Sequence, residues 1–351
     1  MRLRETIADS CKSAAKYRET MQEWPDEVFG LRARIASLAL APIKGLGMLQ
    51  LDEAMLTNNG LCLPCEGGHF YDRMAMLAIR APGEIDGVEY EYKRFSQRDE
   101  GALALAKPKF DGRSLIYSAP RCSPKRLAVS DLNPNISEGQ KVKMKMFPDG
   151  EVLDGRLERE GTLAGVTAWV REMLKKNRKS SKYDVNDVEV IFPGRGFSRS
   201  VEDLHRRDVD EAQTFFTDGG QILTASQSTL DWMNADSNMG RRIGMEAFRP
   251  NIVVAGWPAN IEDIIDAVKF NGTNGQVQML FGGLSVRCNV TTVDNKTGEA
   301  PDTEPLTWLS RHRPRRGNKP TFAVNTVVSA KHAGRKIAVG DFVDVLSEKE
   351  I

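Results

Sequence analysis

The sequence predicts a mainly β protein with some helix, of the α+β class, in which many short strands close into antiparallel barrels. Three observations carry this expectation. From residue 34 onward the chain runs in short apolar stretches punctuated by Gly, Pro and Asn, the punctuation of strands and tight turns. The stretch 161–176 shows the clearest helical period, and helices are few. At 351 residues and 40% hydrophobic content the chain can bury two cores, yet no apolar run is long enough to cross a membrane as a helix.

Taken in order, residues 1–30 are expected to form a polar helical extension docked on the body, with Ile7, Cys11, Ala14 and Tyr17 at helical spacing. Strands are expected at 35–40, 52–57, 73–79 and 114–117, separated by turns at Asn58-Asn59-Gly60, Pro82-Gly83 and Asp111-Gly112. Within 161–176, Leu163, Val166, Val170 and Leu174 share one face. A basic run follows, Lys175, Lys176, Arg178, Lys179 and Lys182, which suits a helix C-terminus and then a solvated linker. A domain boundary is placed there, with 31–178 a β-rich domain plus linker helix and 179–351 a β-barrel domain. In the second half, strands are expected at 188–192, 221–224, 252–254, 277–281 and 286–293, and a closing pair at 336–339 and 342–346 around Gly340-Asp341. Ser226 is expected to cap a short helix that turns Leu230 and Met233 inward.

Charge and cysteine usage narrow the function classes. Lys and Arg number 49 against 48 Asp and Glu, so nothing global argues for a nucleic-acid or membrane-surface partner. Five cysteines, Cys11, Cys62, Cys65, Cys122 and Cys288, are an odd number in a core-forming chain and fit free thiols in a reducing compartment. The start lacks the apolar run of a secretory signal. The expected location is intracellular, in the cytoplasm, with organelle targeting left open. There is no Gly-x-x-x-x-Gly-Lys-Ser/Thr loop and no His-Glu-x-x-His, and the Gly-rich segment 194–198 reads as a turn.

The chemistry-bearing residue is Cys288, in Leu284-Ser285-Val286-Arg287-Cys288-Asn289-Val290-Thr291-Thr292-Val293-Asp294, with Phe248-Arg249-Pro250-Asn251 upstream. A thiolate is a soft ligand for a transition metal, and arginine forks suit a phosphate. Alone, a cysteine in an apolar strand is most often a small inert hydrophobe, and Arg249 an ordinary surface arginine.

The order and spacing of the surrounding segments change that balance. Pro42-Ile43-Lys44-Gly45, Leu56-Thr57-Asn58-Asn59-Gly60-Leu61, Asp72-Arg73, Phe95-Ser96-Gln97-Arg98 and Ser118-Ala119-Pro120 are followed by Phe216-Thr217-Asp218-Gly219-Gly220, 226–230, Phe248 to Asn251 and Arg287-Cys288. In this order they resemble the two-part MOSC proteins, and are closest in layout to the amidoxime-reducing components and their bacterial relatives. The resemblance implies a MOSC-type β-barrel preceded by a smaller β-rich N-terminal MOSC domain. It implies a molybdenum cofactor with Cys288 as the protein ligand to molybdenum, and Lys44, Arg73, Arg249, Asn251 and Arg287 holding pterin and phosphate. Asp218 and Gly220 match a loop that reaches the cofactor. Three positions depart from the family pattern: Ser285-Val286 stands where Cys-Ser is common, Gly45 where a pterin-contacting serine is usual, and Ala75 where a tryptophan is usual.

Cys62-Leu63-Pro64-Cys65 with His69 leaves three readings open: unconnected free thiols, half of a zinc site, or a redox dithiol.

The implied activity is an oxidoreductase that reduces N-hydroxylated or N-oxide substrates with electrons from a separate donor protein, since no iron-sulfur or haem motif is present. Arg311, Arg313, Arg315, Arg316 and Lys319 are candidates for docking an acidic donor, or a solvated loop. The alternatives are a cofactor or sulfur carrier without turnover, and a degenerate barrel without cofactor. The aminotransferase-like domain that would favour carriage is not seen, and no role for pyridoxal phosphate is expected.

Overall fold

The computed structural model describes residues 28–129, 140–148, 150–157, 165–179, 182–194, 197, 199–207, 209–272 and 274–349. The expected N-terminal extension, with Cys11, lies almost entirely outside these residues, as do 161–164 with Leu163 and parts of 194–198.

Seven strands close a barrel, in the order Ile222–Ser226, Ile252–Ala255, Arg32–Leu40, Phe342–Glu348, Ile265–Gly272, Gly275–Val286 and Lys319–Val328, the last pairing back on Ile222–Ser226. The mainly β expectation with some helix is therefore met, but the barrels are not wholly antiparallel: Ile222–Ser226 pairs in parallel with Ile252–Ala255, and Lys141–Lys145 with Val88–Arg94. Alternation builds the wall: in Arg32–Leu40 the arginines at 32 and 34 face out while Ala33 and Ile35 are buried. Ile35, Leu38, Val254, Val268, Phe270, Phe281 and Val343 are among the residues packed in the largest core cluster.

A second sheet runs Val188–Pro193, Val152–Leu157, Lys141–Lys145, Val88–Arg94, Ala75–Ile85, and it closes because Val188–Pro193 also pairs with Ala75–Ile85. Helix Val166–Asn177 lays Val166, Trp169, Val170, Met173 and Leu174 inward in the core cluster that Phe70, Leu77, Phe95 and Tyr117 share. This is the face predicted by Val166, Val170 and Leu174.

The sheets do not divide at residue 178, where the sequence suggested a boundary. Arg32–Leu40 belongs to the barrel, Val188–Pro193 belongs to the second sheet, and Lys336–Ala338 pairs with Glu53–Thr57. Each exchange carries backbone hydrogen bonds from one half of the chain to the other, so the halves are stitched rather than strung.

Several local expectations are corrected. Pro82-Gly83 is not a turn: it sits within Ala75–Ile85 at a register shift, and the chain reverses at Asp86-Gly87. The strands at 336–338 and 342–348 do not pair with each other but join different sheets. Ser226 precedes helix Gln227–Ala235 and Leu230 and Met233 are buried, yet the Ser226 side chain makes no capping bond. The strand expected at 286–293 ends at Val286, so Cys288 sits past it, before the short 3-10 turn Asn289–Thr292.

Candidate cofactor site

The chain passes from the barrel into the second sheet between Leu40 and Ile43, and the site forms at that crossing. Asp72 Oδ1 accepts from the Ala41 amide at 2.7 Å, the Arg73 amide donates to the Ala41 carbonyl at 2.8 Å, and the Ala75 amide donates to the Pro42 carbonyl at 3.1 Å. These bonds bring Lys44 and Arg73 to one place. Arg73 also donates from Nη1 to Asp72 Oδ2. The Phe216 amide donates to the Arg73 carbonyl at 3.1 Å and so docks the loop that carries Asp218.

Asp218 is the electrostatic hub. Lys44 Nζ lies 2.5 Å from its Oδ1, and Arg94 Nη1 lies 3.4 Å from the same oxygen. Enclosure pushes the Asp218 carboxyl up, but Lys44, Arg94 and Arg73 outweigh it and hold it well below the usual carboxylate range. Solvent still reaches the carboxylate, whose side chain is 70% exposed, so these ion pairs are screened and add little to stability. Beneath it Lys44 is buried, and burial followed by the nearby Arg94 and Arg73 charges outweighs the pull of Asp218, bringing its ammonium down to about 8. Phe147 walls this side, with its ring centroid 5.0 Å from the Arg94 guanidinium and 5.7 Å from the Lys44 ammonium.

Arg249 and Arg287 complete the cation cluster in different ways. Arg249 has no hydrogen bond or ion pair among the described residues, and burial together with the like charge of Arg73 lowers it to about 10. Arg73 and Arg249 both hold left-handed backbone, with φ of 49° and 56°. For residues with a Cβ this costs about 1–2 kcal/mol each, and such outliers cluster where function demands them. Arg287 is largely spent on structure. Its Nε and Nη2 donate to the Phe322 carbonyl at 2.9 and 2.6 Å, and its Nη1 donates to the Phe248 carbonyl at 3.1 Å. The rings of Phe248 and Phe322 stack at 3.8 Å, so Arg287 clamps the two segments that place Arg249 and Cys288. Burial lowers Arg287 to about 10 as well.

Cys288 is partly buried, and its Sγ accepts from Arg98 Nη2 at 3.1 Å. Its carbonyl accepts from the Thr291 amide at 3.0 Å and the Thr291 hydroxyl at 2.9 Å, which fixes the turn beyond it.

The structure thus gathers Lys44, Arg73, Asp218, Arg249, Arg287 and Cys288 around one cation-rich space, and it gives three other expected residues backbone or packing roles. Asn251 is buried; its Oδ1 accepts from the Leu223 amide at 3.0 Å and its Nδ2 donates to the Ala39 carbonyl at 3.1 Å, so both ends of the amide tie barrel strands together. Gly45 has φ of 104°, and a side chain there would stand 3.1 Å from Leu77 Cδ1. Its carbonyl accepts from Gln97 Nε2 at 3.0 Å. Gly220 allows a close approach, since a Cβ would lie 2.4 Å from Asn325 Cβ.

Cys62, Cys65 and His69 lie on the paired strands Gly60–Cys65 and Gly68–Tyr71, with His69 opposite Pro64. Along strand Gly60–Cys65, positions three apart face opposite ways, and Cys62 is buried opposite Tyr71 while Cys65 pairs across to Gly68. Burial pushes the Cys62 thiol up to about 12, and among the described residues no group of three metal-ligating side chains occurs. Both thiols are free. The expected basic docking cluster also separates. Arg313 is buried, with Nη2 2.7 Å from Asp263 Oδ1, and Arg316 turns to His205, while Arg311, Arg315 and Lys319 are exposed.

Sequence reasoning missed Arg94 and Arg98. Both flank Phe95-Ser96-Gln97, so the segment carried a signal, but nothing in the chain order says that Arg98 meets a thiol 190 residues away. A cleft of about 650 Å³ lined by Asp99, Glu100, Lys179, Lys182 and Glu299 opens near this segment; none of the cluster cations lines it, and Lys179 is paired with Glu299 at 3.0 Å.

Residues 211–344 match the MOSC domain family. A rat protein named mitochondrial amidoxime reducing component 2 is 35% identical over 289 residues, covering 80% of this chain and 72% of the relative. The chain belongs to the amidoxime-reducing-component family of MOSC-domain proteins. The crab-eating macaque component 2 is 26% identical over 281 residues, and the human component 1 is 26% identical over 279 residues, each match covering 80% of this chain and 72% of the relative. The alignments span both halves, so this family membership extends beyond the barrel. Among the described residues no helix is long and apolar enough to cross a membrane.

Proposed function

We propose that this chain is a molybdenum-cofactor-dependent reductase of N-hydroxylated or N-oxide substrates, taking its electrons from a separate donor protein. The observation that carries the reading is the unbalanced charge of the site. Lys44, Arg94, Arg98, Arg249 and Arg287 all feel the Asp218 carboxylate, yet Arg249 has no partner of its own among the described residues. Burial depresses the cations at 44, 249 and 287, which marks a set of charges that an anion would complete. The residues present therefore fit a phosphorylated pterin, and Cys288 at the edge of the same space fits a soft metal.

In this reading Lys44 supplies a compact point charge and Arg249 a planar fork for the phosphate, while Arg73 and Arg94 balance the remaining negative charge. Arg287 acts by holding the Phe248 and Phe322 segments, and Asn251 by holding the barrel wall beneath them. The Cys288 thiolate would be the protein ligand to molybdenum, and the bound metal would supply the two-electron oxygen-atom chemistry. The relatives are named for reducing amidoximes, which supports the substrate class.

The test is molybdenum and pterin content of protein made in a host able to assemble the cofactor, followed by reduction of a benzamidoxime with an artificial electron donor. Cys288→Ser is expected to abolish turnover while the melting temperature without cofactor stays within a few degrees of wild type. Wild-type protein carrying neither molybdenum nor pterin would overturn the reading, as would undiminished turnover by Cys288→Ser.

A further inference from the structure

Arg98 is the exposed cation of this site. Its side chain is exposed, unlike those of Lys44, Arg249 and Arg287, and one Nη2 donor reaches the Cys288 sulfur at 3.1 Å. Among the described residues its other guanidinium donors have no partner. The nearby carboxylates are otherwise engaged. Asp99 Oδ2 accepts from the Ser96 amide at 2.9 Å and the Ser96 hydroxyl at 3.1 Å, and Asp294 Oδ1 accepts from the Lys296 and Thr297 amides at 2.6 and 3.2 Å. Lys107 adds a second exposed cation within electrostatic reach of Arg249. A guanidinium with donors to spare beside the reactive sulfur presents planar, paired N–H groups to whatever approaches from solvent.

We propose that Arg98 is a substrate-selecting residue, which draws N-oxygenated substrates carrying a carboxylate or comparable oxyanion to the open side of Cys288. The proposal rests on the reductase reading for its substrate, but the electrostatic selection belongs to the chain alone. Phosphate-binding cations would be neutralised by their own anion, whereas Arg98 stands at the rim and remains available. Attraction across a few ångströms at a solvent-exposed site is modest, so selection is expected at the level of several-fold rather than thousands.

The experiment separates this idea from the reading it rests on. Protein without cofactor is treated with iodoacetate, which is anionic, or iodoacetamide, which is neutral, and the alkylation rate is read on the Cys288 peptide by mass spectrometry. Both reagents consume the same ionised form of the thiol, so its extent of ionisation cancels in the ratio of the two rates. Arg98→Gln is expected to lower the iodoacetate-to-iodoacetamide ratio about five-fold, and Arg98→Lys to retain most of it. Loaded enzyme should show the same pattern as a raised KM for a carboxylate-bearing amidoxime and an unchanged KM for a neutral one. An unchanged reagent ratio in Arg98→Gln overturns the selection, as does an equal rise in KM for both substrates. Absence of molybdenum from wild-type protein would instead sink the reductase reading and leave the reagent ratio to decide the role of Arg98.

Discussion

Replacing Arg249 separates a residue kept for stability from one kept for an anion. In the protein without cofactor, Arg249 is a depressed cation with no partner among the described residues, set against the like charge of Arg73. A fall from 12.5 to about 10 corresponds to about 3 kcal/mol of unfavourable environment for the charge, at roughly 1.4 kcal/mol per unit. Solvent access and relaxation reduce this, so removing the charge is expected to stabilise the cofactor-free fold by ~1 kcal/mol. Glutamine keeps the Cβ and hence the left-handed strain at φ 56°, so that contribution cancels. Arg249→Gln should therefore leave the cofactor-free melting temperature equal or raise it by a few degrees.

Cofactor binding should move the other way. A guanidinium fork contributes two charge-assisted bonds to a phosphate, and losing it costs about 3 kcal/mol, or roughly a hundred-fold in affinity. Arg249→Lys keeps the charge and one bond, so its loss is expected near ten-fold. Molybdenum and pterin per chain should fall from wild type through Lys to Gln. The gain in melting temperature on loading should shrink in the same order, because a ligand stabilises only the state it binds. A glutamine variant that is strongly destabilised without cofactor, yet carries full molybdenum, would refute the reasoning and make Arg249 a structural residue.

Two further outcomes concern the buried network behind the barrel. Arg313→Met is expected to destabilise the protein by about 3–5 kcal/mol, read by denaturant titration, because Asp263 loses the partner of a fully buried ion pair; Arg315→Glu at the exposed neighbouring position should change stability little. Burial and then Asp263 push the Glu262 carboxyl up to about 7, so the folded state holds a proton that the unfolded chain has released. Stability should fall as pH rises from about 4.5 through about 7. Glu262→Gln should flatten that fall in melting temperature between pH 5 and 8, and an unchanged slope would show that another group carries it.

Much of the fold was legible because burial in strands leaves a periodic trace. Arg32–Leu40 alternates, Ile252–Ala255 is a short run of branched residues, and both stand out. The two barrel strands that were not anticipated explain the limit. Lys319–Val328 is buried at every position after Lys319, and its Thr321, Asn325 and Thr326 satisfy hydrogen bonds inside the fold, so it has no polar face to alternate with. It also follows a basic stretch that reads as solvated loop, although Arg313 within that stretch is wholly enclosed by Asp263 and Asn260. Ile265–Gly272 carries Asp266, Lys269 and Asn271 among its apolar residues, and its neighbours in the barrel come from far along the chain. The exchange of strands between halves is a property of pairing, which composition does not record.

The site divides along a similar line, between which residues gather and what each does there. The family resemblance, carried by the order and spacing of the segments, nominated Lys44, Arg73, Asp218, Arg249, Arg287 and Cys288, and the fold brings these side chains within electrostatic reach of one another. The direction of a side chain is set by long-range contacts, and there the sequence was silent. Arg249 and Arg287 look equivalent as two arginines near one cysteine, yet Arg287 spends its donors on the Phe248 and Phe322 carbonyls while Arg249 has no such bond. Asn251 is polar and beside Arg249, yet its amide closes the barrel wall between Leu223 and Ala39. The distinction has a consequence for any redesign of this pocket. Changing Arg287 or Asn251 should disturb the wall first and the anion second, whereas changing Arg249 should disturb the anion alone, so loss of cofactor without loss of fold is the signature that assigns a residue to binding.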